Sequence, residues 1–561
     1  MAASSVSLLS SRREITSRRA LSARAAPSAG AEWGLWAVVS ALLGIFILWP
    51  AGSVFFESFF RDGHFSLRAY EGLFIRNIRL VIDSFSLALG VTLLTLSLSI
   101  LIAIRLVYGP ARGRPLIVGA LALSTISPPF LCSMAYLMLF GRRGLITWRL
   151  LGIEWNPYGF HGVLMMEAAG LVGLTSLLTA ASLDRVDGTL ENVSLNLGGS
   201  PLRTLMKISL PLALPGIGAA GLVAFVRSLS DFGTPLFVGG RFQVLASRAY
   251  NTLIGVGDFP LACAMNVLLV LPALLVLFLR STQKKDTALH GLSQPRSLEL
   301  PRWFLSLPAA AAWAFVALQV LVYGLIFLGS VTRTWGVDFS LTSRHLAGIL
   351  NFRTDSLIRS LLCSLAAALG GCLLSAVIVL LMPGAPRFIR RGVQTIADVP
   401  YLMPGTFLGV GYLLVFSRLP FELSAGFLIT MSCLFRQLSP SLRAAEAGLA
   451  QMDPSLRDVV RDLGGGPLSV LRDLLLPLLS PFLRLGFLNA FSAAMTTTGP
   501  IIFLVSPYAR VASIELFESI NEGDFGAASA MGSLLIVIVA AVNGLAWRLG
   551  RNGPASPRRT R

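Results

Sequence analysis

Long uncharged apolar segments recur along nearly the whole chain, separated by short polar stretches. Eight of them contain no Asp, Glu, Lys or Arg: Gly34–Phe56, Ser84–Ile104, Pro115–Gly141, Phe259–Leu279, Trp303–Thr332, Ser360–Pro386, Leu485–Ala509 and Phe525–Trp547. A helix of about 20 residues crosses the hydrocarbon core of a bilayer, which is roughly 30 Å thick. Since each segment reaches that length, the pattern predicts a protein whose helices span a membrane.

Four further segments are predicted spans despite a polar or helix-breaking residue within or beside them. They are Gly162–Leu183 with Glu167 inside, Ile208–Val226 with its prolines, Val399–Ser417 after Asp398, and Leu423–Phe435. The last contains only 13 uncharged residues, so we expect a short or tilted crossing there. Together the segments predict an all-α integral membrane protein with about 12 transmembrane helices.

The composition excludes a water-soluble enzyme. Of the 561 residues, 54% are apolar and 13% charged, and the mean hydropathy is +0.73, whereas about a quarter of a soluble domain is charged. The net charge of +18 needs no nucleic-acid partner, because loops on the cytoplasmic side of a membrane protein carry an excess of Lys and Arg. The partner that this composition requires is the lipid bilayer.

The distribution of basic residues predicts that both tails are cytoplasmic. An even number of spans places both tails on one side, and both are rich in arginine. The loops 105–114, 280–302 and 387–391, which fall on the same side, are also basic. Arg142, Arg143 and Arg149 fall on the opposite side and count against this topology. The Ser-, Ala- and Arg-rich N-terminal tail has the composition of an organelle transit peptide as well.

An internal repeat divides the chain into two halves. A shift of 266 residues superposes Asp187–Leu202 on Asp453–Leu468 without a gap, and also Pro215 on Pro481. We therefore predict two homologous halves of six helices each. The boundaries are a basic tail 1–30, a first half 31–280, a linker 281–302, a second half 303–548 and a basic tail 549–561. Doubling of this kind is typical of transporters, in which a pathway forms between the halves.

The repeated segment has the sequence of a helix, a sharp turn and a second helix. Gly198-Gly199 and Gly464-Gly465 suit a left-handed helix end. Ser200-Pro201 and Gly466-Pro467 then supply an N-cap and a proline at the first position of the next helix, which we expect to end at Leu210-Pro211 or Leu476-Pro477. Such a shape, present twice in cytoplasmic loops 184–212 and 438–478, indicates docking of a partner; the alternative is a pair of plain connecting loops.

These loops resemble those of the permease subunits of ATP-binding-cassette importers. The family pattern is Glu-Ala-Ala, three residues, Gly, then about nine residues to Ile-x-Leu-Pro, and this chain matches it at Gly198 with Ile208–Pro211 and at Gly464 with Leu474–Pro477. Asn192-Val193-Ser194 and Asp458-Val459-Val460 depart from the Ala-Ala positions, although Glu191 and Asp458 keep an acid nearby. The resemblance implies ATPase docking by Glu191, Gly198, Gly199, Pro201, Pro211, Asp458, Gly464, Gly465, Pro467 and Pro477.

The same resemblance covers both halves and is to the fused ferric-iron permeases in particular. It implies the type I importer permease fold in a bacterial inner membrane. Its implied partners are two copies of a cytoplasmic ATP-binding subunit and a periplasmic solute-binding protein. ATP is then used by the partner subunit and this chain binds no cofactor. The first expected cargo is ferric iron, followed by 2-aminoethylphosphonate and then polyamine, thiamine or sulfate.

Two segments after the repeated loops are candidates for the translocation pathway. Residues 225–240 and 495–507 are similar to segments of ferric-iron and 2-aminoethylphosphonate permeases and contain Gly and Pro clusters, which break helices where they line cavities. The candidate residues are Asp231, Gly233, Thr497 and Gly499, together with Glu167, because an ionisable residue within a span is costly in lipid. Asp231 and Arg227 are four residues apart, so a simple ion pair between them is the alternative. Asp83 and Asp398 are weaker candidates near span ends.

The sequence lacks the residues that several kinds of chemistry would require. No G-x-x-x-x-G-K-[S/T] phosphate loop is present, so we expect no ATP hydrolysis by the chain itself. The four histidines are far apart and the five cysteines lie within apolar runs, so neither a metal site nor disulfides are predicted. Two rival classes stay open. A secondary transporter would need ionisable residues at mid-span for coupling, and a membrane-embedded enzyme would need a nucleophile, a metal or an acid pair.

Overall fold

Each half of the chain contains the same succession of long helices and one short β-hairpin. The computed structural model describes residues 29–61, 63–128, 130–141, 144–282, 298–420, 423–453, 455–466, 469–506 and 509–551. The first half consists of α1 (Trp33–Phe59), β1 (Phe60–Arg61), β2 (His64–Phe65), α2 (Arg68–Glu71), α3 (Ile78–Tyr108), α4 (Arg114–Ile126), α5 (Phe130–Phe140), α6 (Phe160–Asp184), α7 (Gly188–Asn196), α8 (Pro201–Leu229), α9 (Gly233–Val238), α10 (Leu245–Asn251) and α11 (Phe259–Thr282).

The second half repeats this order of long helices. It consists of α12 (Arg302–Val331), β3 (Thr332–Thr334), β4 (Asp338–Leu341), α13 (Arg344–Phe352), α14 (Thr354–Leu381), α15 (Arg387–Leu402), α16 (Gly405–Phe416), α17 (Ala425–Arg436), α18 (Leu438–Leu449), α19 (Ser455–Asp462), α20 (Val470–Thr496), α21 (Ala512–Asn521) and α22 (Phe525–Arg551). Most of both predicted basic tails and most of the linker lie outside the described residues.

The all-α membrane architecture predicted from the sequence is confirmed. Eight described helices are long and apolar enough to cross a membrane, and two bent helix pairs bring that number to ten. Two shorter apolar helices, Phe259–Leu275 and Ala425–Arg436, occupy the other predicted spans. The chain is thus a multi-pass membrane protein.

Two predicted spans are bent rather than straight. Pro115–Gly141 corresponds to α4 and α5, and α4 meets the apolar segment Phe130–Leu150, which begins with α5, at 100°. Val399–Ser417 corresponds to the end of α15 and to α16, which meet at 106°. Both breaks contain a proline, Pro128 in the first half and Pro404 in the second. Proline removes a backbone donor and restricts the residue before it, so a helix ends there.

The short span predicted at Leu423–Phe435 is part of a longer element. Helices α17 and α18 contain 12 residues each and are separated by Gln437 alone. Their counterpart in the first half, α6, is one helix of 25 residues. The charges at Arg436, Arg443 and Glu446 interrupt the apolar pattern, so the sequence predicts a shorter crossing than the two helices of the structure.

The repeat is visible in individual hydrogen bonds. The Ser84 hydroxyl of α3 accepts a bond from the backbone N–H of Leu245 at 2.7 Å, and the Ser360 hydroxyl of α14 accepts one from that of Ala512, also at 2.7 Å. In each half this bond ties the second long helix to the start of a short helix, α10 or α21. The two halves therefore share local contacts as well as sequence.

The first long helix of each half packs on the other half. Helix α1 lies against α16, where the Tyr412 hydroxyl donates to the carbonyl of Phe46 at 3.0 Å. Helix α12 lies against α3 and α4, where the Tyr323 hydroxyl donates to the carbonyl of Leu123 at 3.1 Å. Because the first long helix of each half packs on the other half, the largest apolar core contains residues of both halves.

Candidate functional site

The two repeated segments fold as matching loops, which we call the first repeat loop (residues 187–211) and the second repeat loop (residues 453–477). Each begins with an aspartate that caps a helix. Asp187 accepts a bond from the N–H of Thr189 and Asp453 accepts one from the N–H of Ser455, both at 2.9 Å. The bonds from Ser455 lower the pKa of the Asp453 carboxyl. Both loop helices, α7 and α19, are thus started by the same N-cap chemistry.

The left-handed turn predicted after each loop helix is confirmed. Gly198 and Gly464 both have φ of +83°, a conformation that side chains other than glycine rarely adopt. The next glycines are needed for a different reason. A β-carbon on Gly199 would lie 2.8 Å from the carbonyl oxygen of Ser194, and one on Gly465 would lie 2.8 Å from that of Val460. The glycine pairs therefore fix where each loop helix ends.

The segment after each turn differs from the sequence prediction. Pro201 does start a helix, and the Ser200 hydroxyl accepts the Arg203 N–H at 3.4 Å. That helix does not stop at Pro211, however, but continues as α8 through a π-helical turn, Leu205–Ser209. A matching turn, Val470–Leu475, precedes Pro477. The wider turn lets the helix pass a proline, which has no N–H to donate. Pro467 and the side chain of Asp458 lie outside the described residues.

Each loop helix presents an apolar face to solvent. Leu190, Val193 and Leu197 are all exposed in the first repeat loop, and the residues 266 positions later, Leu456, Val459 and Leu463, are all exposed in the second. Leu197 and Leu463, which immediately precede the turn glycines, are each 83% exposed. The spacing of i, i+3 and i+7 places the three side chains on one side of the helix. A helix that lays such a face into the groove of another protein is a common mode of recognition.

Glu191 does not lie on that face. Its side chain has no exposed surface, and the carboxylate oxygen Oε1 accepts bonds from the Tyr108 hydroxyl and the Ser209 hydroxyl, both at 2.7 Å. The sequence placed Glu191 among the residues that contact a partner. Its carboxylate is enclosed by the chain itself, and its role in docking stays a prediction.

A cluster of aromatic rings joins the two halves, and we call it the seam cluster. Phe130, Phe232, Phe237 and Tyr250 come from the first half, and Phe503 and Phe517 from the second. The Phe517 ring centroid lies 5.5 Å from that of Phe130, 5.9 Å from Phe232, 5.1 Å from Phe237 and 6.2 Å from Tyr250. Phe232 and Phe503 follow the ends of α8 and α20, so the seam cluster is separated from both repeat loops by the length of these helices.

Asp231 and Gly233 hold the turn that carries Phe232 into the seam cluster. The Asp231 carboxylate accepts the N–H groups of Gly233 at 2.9 Å and Thr234 at 3.2 Å. A β-carbon on Gly233 would lie 2.0 Å from the Phe130 ring, so only glycine fits there. The alternative of an ion pair between Asp231 and Arg227 is wrong, because Arg227 instead donates to the Tyr401 hydroxyl of the second half at 3.3 Å.

The other residues proposed for the pathway are brought together only in part. Glu167 is buried between α6 and α8 and accepts a bond from the Ser228 hydroxyl. Thr497 ends α20, two residues before Gly499. A β-carbon on Gly499 would lie 3.3 Å from the α-carbon of Gly405, so this glycine permits a close approach of two backbone segments. Thr497 and Gly499 thus lie at the second-half counterpart of the Phe232 turn.

Two cavities contain charged groups that the sequence did not connect. One, of about 170 Å³, is lined by Asp398, Tyr401, Leu402, Ser439, Pro440 and Arg443. In it the Arg443 guanidinium donates to the Asp398 carboxylate at 2.5 Å, and Ser439 donates to the same carboxylate. Asp83, the other aspartate near a span end, pairs with Arg79 at 3.8 Å. Among the described residues no group of three His, Cys, Asp or Glu side chains could hold a metal ion.

The second cavity, of about 230 Å³, borders the seam cluster. Tyr250 and Phe517 of that cluster line it together with Ile502, Val505, Ser506, Arg510, Ile514 and Glu518. Arg510 pairs with Glu518 at 2.8 Å. Burial raises the pKa of the Glu518 carboxyl and Arg510 opposes that shift, while burial and the nearby Glu518 raise the pKa of Tyr250. The cavity thus joins a charged pair of the second half to a phenol of the first.

Comparison with known proteins identifies the family. The profile of the family described as binding-protein-dependent transport system inner membrane component matches residues 109–285. A ferric transport system permease protein of Actinobacillus pleuropneumoniae is 27% identical over 529 residues, which are 90% of this chain and 77% of the relative. A ferric transport system permease-like protein of Escherichia coli is 38% identical over 92 residues, 16% of this chain and 77% of the relative.

The chain belongs to this family of inner membrane components. It is a permease subunit of an ATP-binding-cassette importer, of the type in which two halves are fused. A Salmonella typhi protein named for 2-aminoethylphosphonate transport is 25% identical over 247 residues, 42% of this chain and 85% of the relative. Permeases of this family work with an ATPase and a solute-binding protein, and the relatives are named as permeases rather than as enzymes.

Proposed function

We propose that this permease forms the translocation pathway of an importer for ferric iron. The observation that favours ferric iron as the cargo is the share of this chain that aligns with each relative. The ferric permease relative aligns over 90% of the chain and so includes both halves, whereas the 2-aminoethylphosphonate relative aligns over 42%. The proposed halves are residues 31–280 and 303–548, joined by the linker 281–302.

The repeat loops are the proposed docking sites for two copies of a cytoplasmic ATP-binding subunit. Their exposed apolar faces support this, because the same three positions are exposed and apolar in both loops. The glycines Gly198, Gly199, Gly464 and Gly465 shape the turns, and Pro201, Pro211, Pro467 and Pro477 belong to the helices that follow. Asp458 keeps its proposed role as a contact, while Glu191 acts from inside the loop.

The seam cluster is the proposed outer closure of the pathway. With the repeat loops and both tails in the cytoplasm of a bacterium, the seam cluster lies toward the periplasmic side of the inner membrane. Closure of two ATPase subunits on ATP would pull the two repeat loops together and rotate the halves as rigid bodies. The aromatic contacts between the halves would then separate and admit a solute released by the periplasmic binding protein.

A secondary transporter is the proposed alternative from another class. Such a carrier would need an ionisable residue in the pathway, and Glu167 and Asp231 are the candidates. Both accept hydrogen bonds within the first half, Glu167 from Ser228 and Asp231 from Gly233 and Thr234. These bonds favour a structural role over a coupling role, and so favour the importer.

Uptake by the complete importer tests the cargo. The permease is reconstituted in liposomes with the ATPase and the solute-binding protein of the same importer, and radiolabelled ferric iron and 2-aminoethylphosphonate are supplied separately. We expect ATP-dependent uptake of iron, and uptake of 2-aminoethylphosphonate no greater than in liposomes without ATP. Uptake of 2-aminoethylphosphonate but not iron would contradict the proposed cargo and leave the permease role intact.

A further inference from the structure

Glu191 is buried in a helix whose other face is open to solvent. Its neighbours Leu190 and Val193 are exposed, whereas Glu191 has no exposed surface. A buried carboxylate is costly unless hydrogen bonds replace the water it has lost. The carboxylate of Glu191 therefore requires hydrogen-bond donors from within the chain.

The bonds made by Glu191 join three elements. Its Oε1 atom accepts from Tyr108, the last residue of α3, and from Ser209, in the π-helical turn within α8. Glu191 itself lies in α7, the loop helix. One oxygen atom thus links the loop helix to two of the long helices, with donor–acceptor distances of 2.7 Å for both bonds.

The second half differs in sequence at this anchor. The sequence has Arg457 at the position of Glu191 and Leu475 at that of Ser209. Leu475 is fully buried, and Val470 and Leu471 are buried beside it. The position that supplies one hydrogen-bond donor to Glu191 in the first repeat loop is therefore occupied by a buried apolar side chain in the second.

We propose that Glu191 is a positioning residue that couples movement of the first repeat loop to α3 and α8. Charge-assisted hydrogen bonds are directional and stronger than neutral ones, so they hold the loop helix at a fixed angle to both long helices. The first repeat loop is then a rigid connection between the ATPase and these two long helices. The inference rests on the proposed docking function of the loops.

The test measures solute transported per ATP hydrolysed in liposomes that contain the permease, the ATPase and the solute-binding protein. We expect Glu191→Ala to assemble and hydrolyse ATP while transport per ATP falls by about tenfold, as expected for loss of hydrogen bonds to a charged group. Tyr108→Phe and Ser209→Ala each remove one donor and should give smaller losses. Glu191→Gln keeps an acceptor oxygen and should retain at least half of the wild-type ratio.

Glu71→Ala is the matched control, because Glu71 is an exposed glutamate outside both repeat loops. A merely structural role of Glu191 would lower the amount of complex and leave transport per ATP unchanged, and that result overturns the proposal. An equal loss in Glu191→Gln and Glu191→Ala would overturn it too. If the wild-type permease fails to bind the ATPase, the docking function fails instead, and the two failures are thereby distinguished.

Discussion

Replacing Leu197 and Leu463 together by aspartate is expected to abolish binding of the ATPase. Both side chains project from the repeat loops with 83% of their surface exposed. Burying a leucine in a partner's groove contributes about 1.5–3 kcal/mol, and an unpaired carboxylate in the same place is unfavourable. Two such changes should weaken binding by more than about hundredfold, since each 1.4 kcal/mol corresponds to a factor of ten. The dissociation constant of ATPase from permease in nanodiscs measures the effect.

The control for this variant is Leu341→Asp. Leu341, in the β-hairpin of the second half, is 81% exposed and lies outside both repeat loops. The Leu341→Asp substitution introduces the same charge at an equally exposed leucine and should leave the dissociation constant unchanged. The single variants Leu197→Asp and Leu463→Asp should each weaken binding less than the double variant. Wild-type affinity in the double variant would refute docking through the apolar faces.

Phe517→Ala is expected to open the seam between the halves. The side chain is 3% exposed and meets four aromatic rings of the first half. Each aromatic pair contributes about 0.5–1.5 kcal/mol beyond area burial, so the closed arrangement should lose enough free energy to shift the equilibrium at least about tenfold toward opening. Passive release of trapped radiolabelled sucrose from proteoliposomes should rise, and ATP hydrolysis without the solute-binding protein should rise with it.

The variant Phe491→Ala is the control that distinguishes opening of the seam from a general loss of stability. Phe491 is fully buried, and its aromatic partner Phe487 belongs to the same helix. Truncation of either phenylalanine leaves a cavity and lowers stability by about 3–5 kcal/mol. We expect increased release only in the Phe517 variant. Equal release from both variants, or none from either, would refute the seam cluster as a closure.

Much of the architecture follows from local patterns in the sequence. Charge-free segments predict the long helices because lipid excludes unpaired charges over a defined thickness. The repeated glycines predict the turns because a left-handed helix end is a property of a few consecutive residues. The bends at Pro128 and Pro404 were predictable from the same chemistry, but the uninterrupted apolar pattern across each break concealed them.

The seam cluster could not be predicted, because its rings come from distant parts of the chain. Phe130, Tyr250 and Phe517 become neighbours only when the two halves pack, and each alone is an ordinary apolar residue of a membrane helix. The paired groups Asp398 and Arg443 are likewise separated by 45 positions. No periodicity within one segment carries information about such contacts.

The repeat loops show where residue type alone misleads. Apolar residues of an amphipathic helix usually face the core and acids face solvent. Here Leu197 is exposed and Glu191 is buried, so both depart from the rule. A signal was present in the sequence, because Leu190, Val193 and Leu197 recur as Leu456, Val459 and Leu463 while Glu191 does not recur. In the loop helices these three recurring apolar positions face outward, and the unmatched acid faces inward.

The most direct test of the account is transport by the permease with and without its ATPase. Sealed liposomes that contain the permease alone and liposomes that contain it with the ATPase are given ATP, the solute-binding protein and radiolabelled ferric iron. The account predicts uptake only where the ATPase is present. Sustained uptake by the permease alone would contradict it.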